Sequence, residues 1–83
     1  LKRYEEGLDL DLRLTRLRPT DPLAHYNLAC TYSLVGQVDA AFESLVKALQ
    51  FGYRDFDFIR ADRDLDNLRE DDRFTEIMSA YNE

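Results

Sequence analysis

Two stretches with helical apolar periodicity flank a single glycine, Gly36, and this arrangement constrains the fold more than any other feature. In the first stretch, residues 22–35, a leucine, a tyrosine and a valine recur at intervals of four and three residues. In the second, residues 39–49, alanine and leucine recur in the same way. A glycine just past a helix supplies the left-handed backbone that ends it. The sequence therefore predicts an antiparallel helical hairpin over residues 22–49.

The residue types along this hairpin resemble one tetratricopeptide repeat. The positions that carry the resemblance are His25, Leu28, Ala29, Tyr32, Ala41, Leu45 and Ala48. The family has tryptophan where this chain has His25, and glycine where it has Ala29. Its members are mostly helical scaffolds that bind peptides or other proteins. The resemblance thus implies an all-α fold, with antiparallel helical hairpins in a right-handed superhelix, and a non-enzymatic protein-interaction scaffold.

Residues 2–17 allow two interpretations, because leucines stand at every second position from 8 to 14. Strict alternation is typical of a strand, but the same leucines also form two stripes at helical spacing. The 34-residue register of the repeat family favours the helix and aligns Gly7 with Ala41. We therefore expect residues 2–17 to be the second helix of a preceding repeat.

The first helix of that preceding repeat is not in this sequence, so one leucine stripe of residues 2–17 lacks its partner. Exposed apolar stripes of this kind usually mark an interface. The candidate residues for self-association as a homodimer are Tyr4, Leu8 and Leu12. The alternative function is accordingly a homo-oligomerising or capping fragment of a longer repeat protein.

Local signals divide the chain, which is expected to be one domain over residues 1–83. A proline-rich turn follows residues 2–17, with Thr20 or Asp21 as the cap of the next helix. The full repeat then spans residues 22–51. Residues 55–83 are predicted to be capping helices, with Asp55 and Asp71 at their N-termini, since the open end of a helical repeat needs a cover.

The resemblance also implies where a partner binds. In tetratricopeptide arrays the first helix of each repeat lines a concave groove, which takes an extended peptide or another protein. The positions of this sequence that match that groove are Leu23, Tyr26, Asn27, Cys30, Ser33 and Leu34.

Composition narrows the classes of partner and the compartment. The chain is acidic, with a formal net charge of −6, which makes nucleic acid and anionic membranes poor partners. No apolar run is long enough for a transmembrane helix. A single cysteine, Cys30, rules out an internal disulfide and favours a reducing compartment, so a cytoplasmic location is expected.

Three aspartates, Asp62, Asp64 and Asp66, have the spacing that opens a calcium-binding EF-hand loop. The rest of the loop does not match. Its sixth position is Asn67 rather than the glycine of the sharp turn, and its twelfth is Arg73 rather than a bidentate glutamate. Helix caps and solvated carboxylates explain these aspartates better, and no metal is expected.

His25, the single histidine, lies five residues before Cys30, a spacing that does not bring the two onto one helical face. We interpret His25 as a filler of the hairpin at the family's large aromatic position, and Cys30 as a small apolar or groove-lining residue. Neither a phosphate-binding glycine loop nor a nucleophile motif occurs in the sequence. The sequence therefore predicts neither an enzyme nor a cofactor.

Overall fold

The protein is described by a computed structural model that covers residues 2–82, with side chains from Tyr4 onward. Positions 1 and 83, the ends of the predicted domain, lie outside the described residues. The helices are α1 (Lys2–Leu17), α2 (Pro22–Leu34), α3 (Val38–Gln50), α4 (Phe56–Ala61), α5 (Asp66–Arg69) and α6 (Asp72–Tyr81), with a 3₁₀ turn at Arg63–Leu65 between α4 and α5. The all-α prediction is confirmed, and the alternating leucines of residues 8–14 lie on a helix rather than a strand.

Local capping signals set the helix ends. The carboxylate of Asp21 accepts hydrogen bonds from the backbone at the start of α2, where Pro22 occupies the first turn. Asp55 and Asp71 cap α4 and α6 in the same way, as the sequence predicts. After α2, Gly36 has a φ of +83°, and the Gln37 N–H donates to the Tyr32 carbonyl at 2.9 Å. This Schellman geometry ends the helix and turns the chain back into α3.

The core lies between α2 and α3 and beneath the C-terminal elements. Ala29 of α2 and Ala41 of α3 are both fully buried, as expected for two helices whose backbones approach closely. Ile59, Leu65 and Leu68, from the segment after α3, are also fully buried in the same cluster. The C-terminal segment therefore covers the α2–α3 hairpin, because the hairpin alone leaves one apolar side without contacts.

His25 has the structural role predicted for it. Its side chain is buried, and Nε2 donates to the Pro19 carbonyl at 2.7 Å. Its ring stacks on Phe51 with 5.4 Å between the ring centroids. His25 thus ties the turn before α2 to the end of α3 and does not line the groove described below.

Within residues 2–82, no helix is both long enough and apolar enough to cross a membrane.

Candidate functional site: the groove along helix α2

One side of α2 forms the floor of an open groove of about 380 Å³. One wall is formed by α1, and the other by residues 56–65, which we call the α4–3₁₀ segment. The residues that line it are Asp11, Tyr26, Asn27, Cys30, Thr31, Leu34, Phe58, Asp62 and Asp64. We refer to this surface as the α2 groove. The α2 residues among them are three or four positions apart or adjacent, so one face of the helix points into it. A volume of this size accommodates a few peptide side chains.

Asp62 joins the far wall of the groove to its floor. One carboxylate oxygen accepts the backbone N–H of Asp64 at 3.0 Å and caps the 3₁₀ turn. The other accepts the Tyr26 hydroxyl at 2.6 Å and lies 3.6 Å from the Cys30 sulfur. Because a single side chain makes both sets of contacts, the α4–3₁₀ segment is held at a fixed distance from α2.

Aromatic rings support the same wall. Tyr26 stacks on Tyr53, with the ring centroids 4.3 Å apart and the planes within 7°. The Tyr26 ring also lies near the ring of Phe58 of α4, with the ring centroids 6.0 Å apart and an angle of 50° between the planes. Phe58 is 49% exposed, and Tyr26 is buried beneath it. The groove therefore offers a partner an accessible aromatic ring on a rigid base.

Three carboxylates give the α2 groove its charge: Asp11 on the α1 wall, and Asp62 and Asp64 on the opposite wall. Asp11 accepts the Thr31 hydroxyl at 2.6 Å. Elsewhere, Asp9, Asp39 and Asp71 are among the aspartates paired with arginine. Among the described side chains, no ion pair involves any of the three groove carboxylates.

The pKa values of three groove residues, Tyr26, Cys30 and Asp64, are raised by their surroundings. Partial burial, followed by the charges of Asp62 and Asp66, raises the pKa of Asp64 above its ordinary value. Burial raises the pKa of the Cys30 thiol to about 12, with a further contribution from the nearby charge of Asp62. Burial and the hydrogen bond to Asp62 also raise the pKa of Tyr26. The site therefore disfavours additional negative charge.

One group of residues in the groove brings metal-ligating atoms close together, but these atoms are already hydrogen-bonded, protonated or exposed. Ligand atoms of Cys30, Asp62 and Asp64 lie within 4.8 Å of one another, so these residues are the group in the described chain best placed to hold an ion. Both carboxylate oxygens of Asp62 already accept hydrogen bonds, and the Cys30 thiol, with its pKa raised to about 12 when no ion is bound, retains its proton at neutral pH. A thiol in this state is also a weak nucleophile. We assign no metal to this group.

Four of the six predicted groove residues, Tyr26, Asn27, Cys30 and Leu34, line the α2 groove. The other two do not. Leu23 is 55% exposed near the start of α2, outside the groove lining. Ser33 is fully buried beneath α5, where the Asn67 side chain donates to its carbonyl at 2.7 Å. Ser33 therefore faces the C-terminal segment rather than a binding surface.

The predicted self-association residues lie on the less exposed side of α1. Leu8 and Leu12 are half-buried, and Leu8 lies beside Leu34 at the junction with α2. Tyr4 is exposed at the N-terminal end of the helix. The most exposed leucines belong to the other stripe: Leu10 is 63% and Leu17 is 79% exposed. If α1 has an interface, its centre is on that second stripe.

Sequence reasoning missed the walls of the groove, namely Asp11, Phe58, Asp62 and Asp64. One available signal concerned Asp64, which stands 34 residues after Cys30 and so occupies the equivalent position if the repeat register is extended into the tail. Asp11 and Phe58 had no comparable signal, because their positions depend on how α1 and α4 pack against α2.

Comparison with known proteins agrees with this architecture. The family model described as "Tetratricopeptide repeat" matches residues 12–43, which include the last six residues of α1, all of α2 and the start of α3. A relative from Arabidopsis thaliana, whose name describes it as chloroplastic, is 38% identical over 84 residues, an alignment that includes 98% of this chain. The chain spans only 25% of the length of that relative. No solved structure gives a significant match.

The family match, the all-helical hairpins and the Schellman turn at Gly36 are mutually consistent. Residues 12–43 therefore match the tetratricopeptide repeat family, within an all-α fold.

Proposed function

We propose that this chain is a non-enzymatic protein-interaction module that binds a peptide segment of a partner protein in the α2 groove. The match of residues 12–43 to the tetratricopeptide repeat family supports an interaction scaffold. The observation that carries the proposal is the groove itself, where four residues predicted from the family register line one cleft with an exposed aromatic ring. The proposal also includes two interpretations of the flanking segments. Residues 2–17 are half of a preceding repeat, and residues 55–83 are capping helices.

The groove has the chemistry that an extended peptide requires. Asn27 is exposed on its floor, and its amide offers both a donor and an acceptor to a peptide backbone. Phe58 offers an apolar contact beside it. Tyr26 is buried and hydrogen-bonded to Asp62, so it positions the groove wall rather than meeting the partner directly.

The first test is selection of peptides from a phage library of random dodecapeptides against the wild-type protein, followed by fluorescence anisotropy. We expect the double substitution Asn27→Ala/Phe58→Ala to weaken binding of the selected peptides at least about tenfold, because both contacts are at the groove surface. Gln50→Ala, an exposed amide on α3, is the matched control and is expected to leave the affinity unchanged. Equal affinity of the double variant and the control would refute the groove as the binding face.

Exposure of Leu10 and Leu17 favours a second candidate function, self-association through α1. On α3 the position equivalent to Leu10 is covered, because Ser44, which stands 34 residues later, is buried, whereas Phe51, the equivalent of Leu17, is 41% exposed. Leu10 has no comparable cover among the described residues.

Size-exclusion chromatography with light scattering tests this candidate. If α1 mediates a homodimer, the wild-type protein elutes with twice the monomer mass, and Leu10→Glu/Leu17→Glu restores the monomer because charges at an apolar interface are costly to bury. Leu23→Glu, at an exposed leucine on α2, is the control for a nonspecific effect of added charge. A wild-type monomer at high micromolar concentration would exclude the homodimer.

We also propose a plastid location for the protein. The relative from Arabidopsis is named as a chloroplast protein, which favours a plastid over the cytoplasm expected from the lone cysteine. Both compartments keep thiols largely reduced, so Cys30 does not distinguish them.

A further inference from the structure

We propose that the peptide segment bound in the α2 groove is basic and places lysine or arginine side chains between Asp11 and the Asp62–Asp64 wall. This inference rests on the proposed function, since it specifies the partner of the same groove. It commits to one occupant, a cationic peptide segment, on the basis of charge complementarity.

The first argument is the distribution of charge around the groove. Carboxylates lie on both of its walls, and no lysine or arginine contributes to its lining. A formal net charge of −6 for the whole chain adds to the same field. A cleft with charges of one sign raises the local concentration of ligands of the opposite sign and accelerates their association.

The second argument is that these carboxylates have not been neutralised within the fold. The hydrogen-bond donors to the side chains of Asp11 and Asp62 are neutral: the hydroxyls of Thr31 and Tyr26, the Cys30 thiol and a backbone amide. Asp64 is exposed, and its carboxylate accepts no hydrogen bond from the described side chains. Desolvation, followed by the charges of Asp62 and Asp66, raises the pKa of Asp64, and a cation bound beside this carboxylate would offset both effects.

The third argument concerns the apolar part of the same cleft. The Phe58 ring is half-exposed on the wall that carries Asp62 and Asp64, and Leu34 lies on the floor. Lysine and arginine bury their aliphatic stems along apolar surfaces while the charged group remains at the edge, and both interact with aromatic faces. The groove thus matches both parts of a basic side chain.

The test uses the peptides selected from the random library with the wild-type protein. We expect enrichment of lysine and arginine over their frequency in the unselected library. For a selected peptide, Asp11→Asn/Asp64→Asn is expected to weaken binding about tenfold, and the remaining affinity is expected to depend less on NaCl between about 0.05 and 0.3 M. Asp62 is left unchanged in this variant, because its carboxylate holds the Tyr26 hydroxyl and caps the 3₁₀ turn.

Glu76→Gln provides the matched control, because it also removes negative charge but lies exposed on α6, outside the groove. It is expected to change the affinity less than twofold. The melting temperature of each variant is measured first, and asparagine retains an oxygen that accepts the Thr31 hydroxyl, so the double variant is expected to fold normally.

The outcomes separate the two proposals. If the selected peptides need Asn27 and Phe58 but show no basic enrichment, or bind Asp11→Asn/Asp64→Asn as tightly as the wild type, the inference about charge is overturned and the groove remains the binding face. If the library yields no peptide that depends on Asn27 and Phe58, the proposed function fails, and the inference fails with it.

Discussion

Substitution of Leu45 by alanine is expected to lower the free energy of unfolding by about 3 kcal/mol, within the roughly 2–5 kcal/mol typical of buried leucines. Leu45 lies on α3 with none of its surface exposed, in the cluster shared by α2, α3 and the C-terminal segment. The loss combines the removed apolar contacts with the cavity that remains, because a site enclosed by several elements cannot collapse around the smaller residue. A domain of this length has a total stability of only about 4–12 kcal/mol, so the substitution removes between about a quarter and three quarters of it.

Urea unfolding followed by circular dichroism measures this effect. Leu23→Ala is the matched control, since it is the same chemical change at a helical position that is more than half exposed and lies outside both proposed binding faces, and it is expected to change the stability by less than about 0.5 kcal/mol. Similar losses for the two variants would contradict the core described above.

The sequence alone predicts the helix ends, because these depend on residues that are close together along the chain. The ends of α2, α4 and α6 follow from Asp21, Asp55 and Asp71, because an N-cap acts within three residues of its own position. The role of Gly36 in ending α2 could be predicted for the same reason, since this glycine stands one residue beyond the C-cap. Helical periodicity and the repeat register then supplied the α2 face of the groove.

What the sequence could not predict depends on how helices rotate and pack. Residues 2–17 carry two leucine stripes, and periodicity alone does not determine which of them faces α2. The structure places Leu8 and Leu12 at the junction and leaves Leu10 and Leu17 exposed. This rotation determines where a partner of α1 would bind, so the predicted self-association residues were chosen from the less accessible stripe.

Asp62, on the wall formed by the segment after α3, illustrates the same difference between local and long-range contacts. Asp62 was predicted only as one of several solvated or capping aspartates, and capping is indeed one of its roles. Its second role, the hydrogen bond to Tyr26, joins residues 36 positions apart and exists only because the segment after α3 folds back over α2. Packing of Ile59, Leu65 and Leu68 in the core brings that segment into place.

Arg69 holds the folded-back segment together through several contacts in addition to its ion pair with Asp66. Its guanidinium donates to the carbonyls of Arg60 at 2.9 Å and Ile59 at 3.0 Å, and also to the carbonyl of Asp62. These are carbonyls at the C-terminal end of α4 and just beyond it, which the helix itself leaves without partners. A single cation thus satisfies the acceptors that α4 exposes where it meets the 3₁₀ turn.

We expect Arg69→Met, which retains an apolar stem but no donors, to lower the free energy of unfolding by about 3 kcal/mol. Hydrogen bonds from charged groups contribute roughly 1.5–3 kcal/mol each, and unpaired carbonyls at a buried helix end are costly, although water reaches part of this site and reduces the loss. Arg69→Lys is expected to be intermediate, because an ammonium keeps the charge but cannot reproduce the geometry of the planar guanidinium. Urea unfolding of the three proteins measures these differences.

Arg63→Met is the control for removing a positive charge from an acidic chain, since Arg63 is exposed on the 3₁₀ turn and has no ion pair among the described side chains. Its stability is expected to stay within about 0.5 kcal/mol of the wild type. Arg69→Met should also accelerate hydrogen exchange at the Ile59 amide, which bonds to the Asp55 carbonyl inside α4. Equal stability and exchange in the two methionine variants would show that the α4–3₁₀ wall of the groove does not depend on Arg69, and that packing alone holds Asp62 and Phe58 against α2.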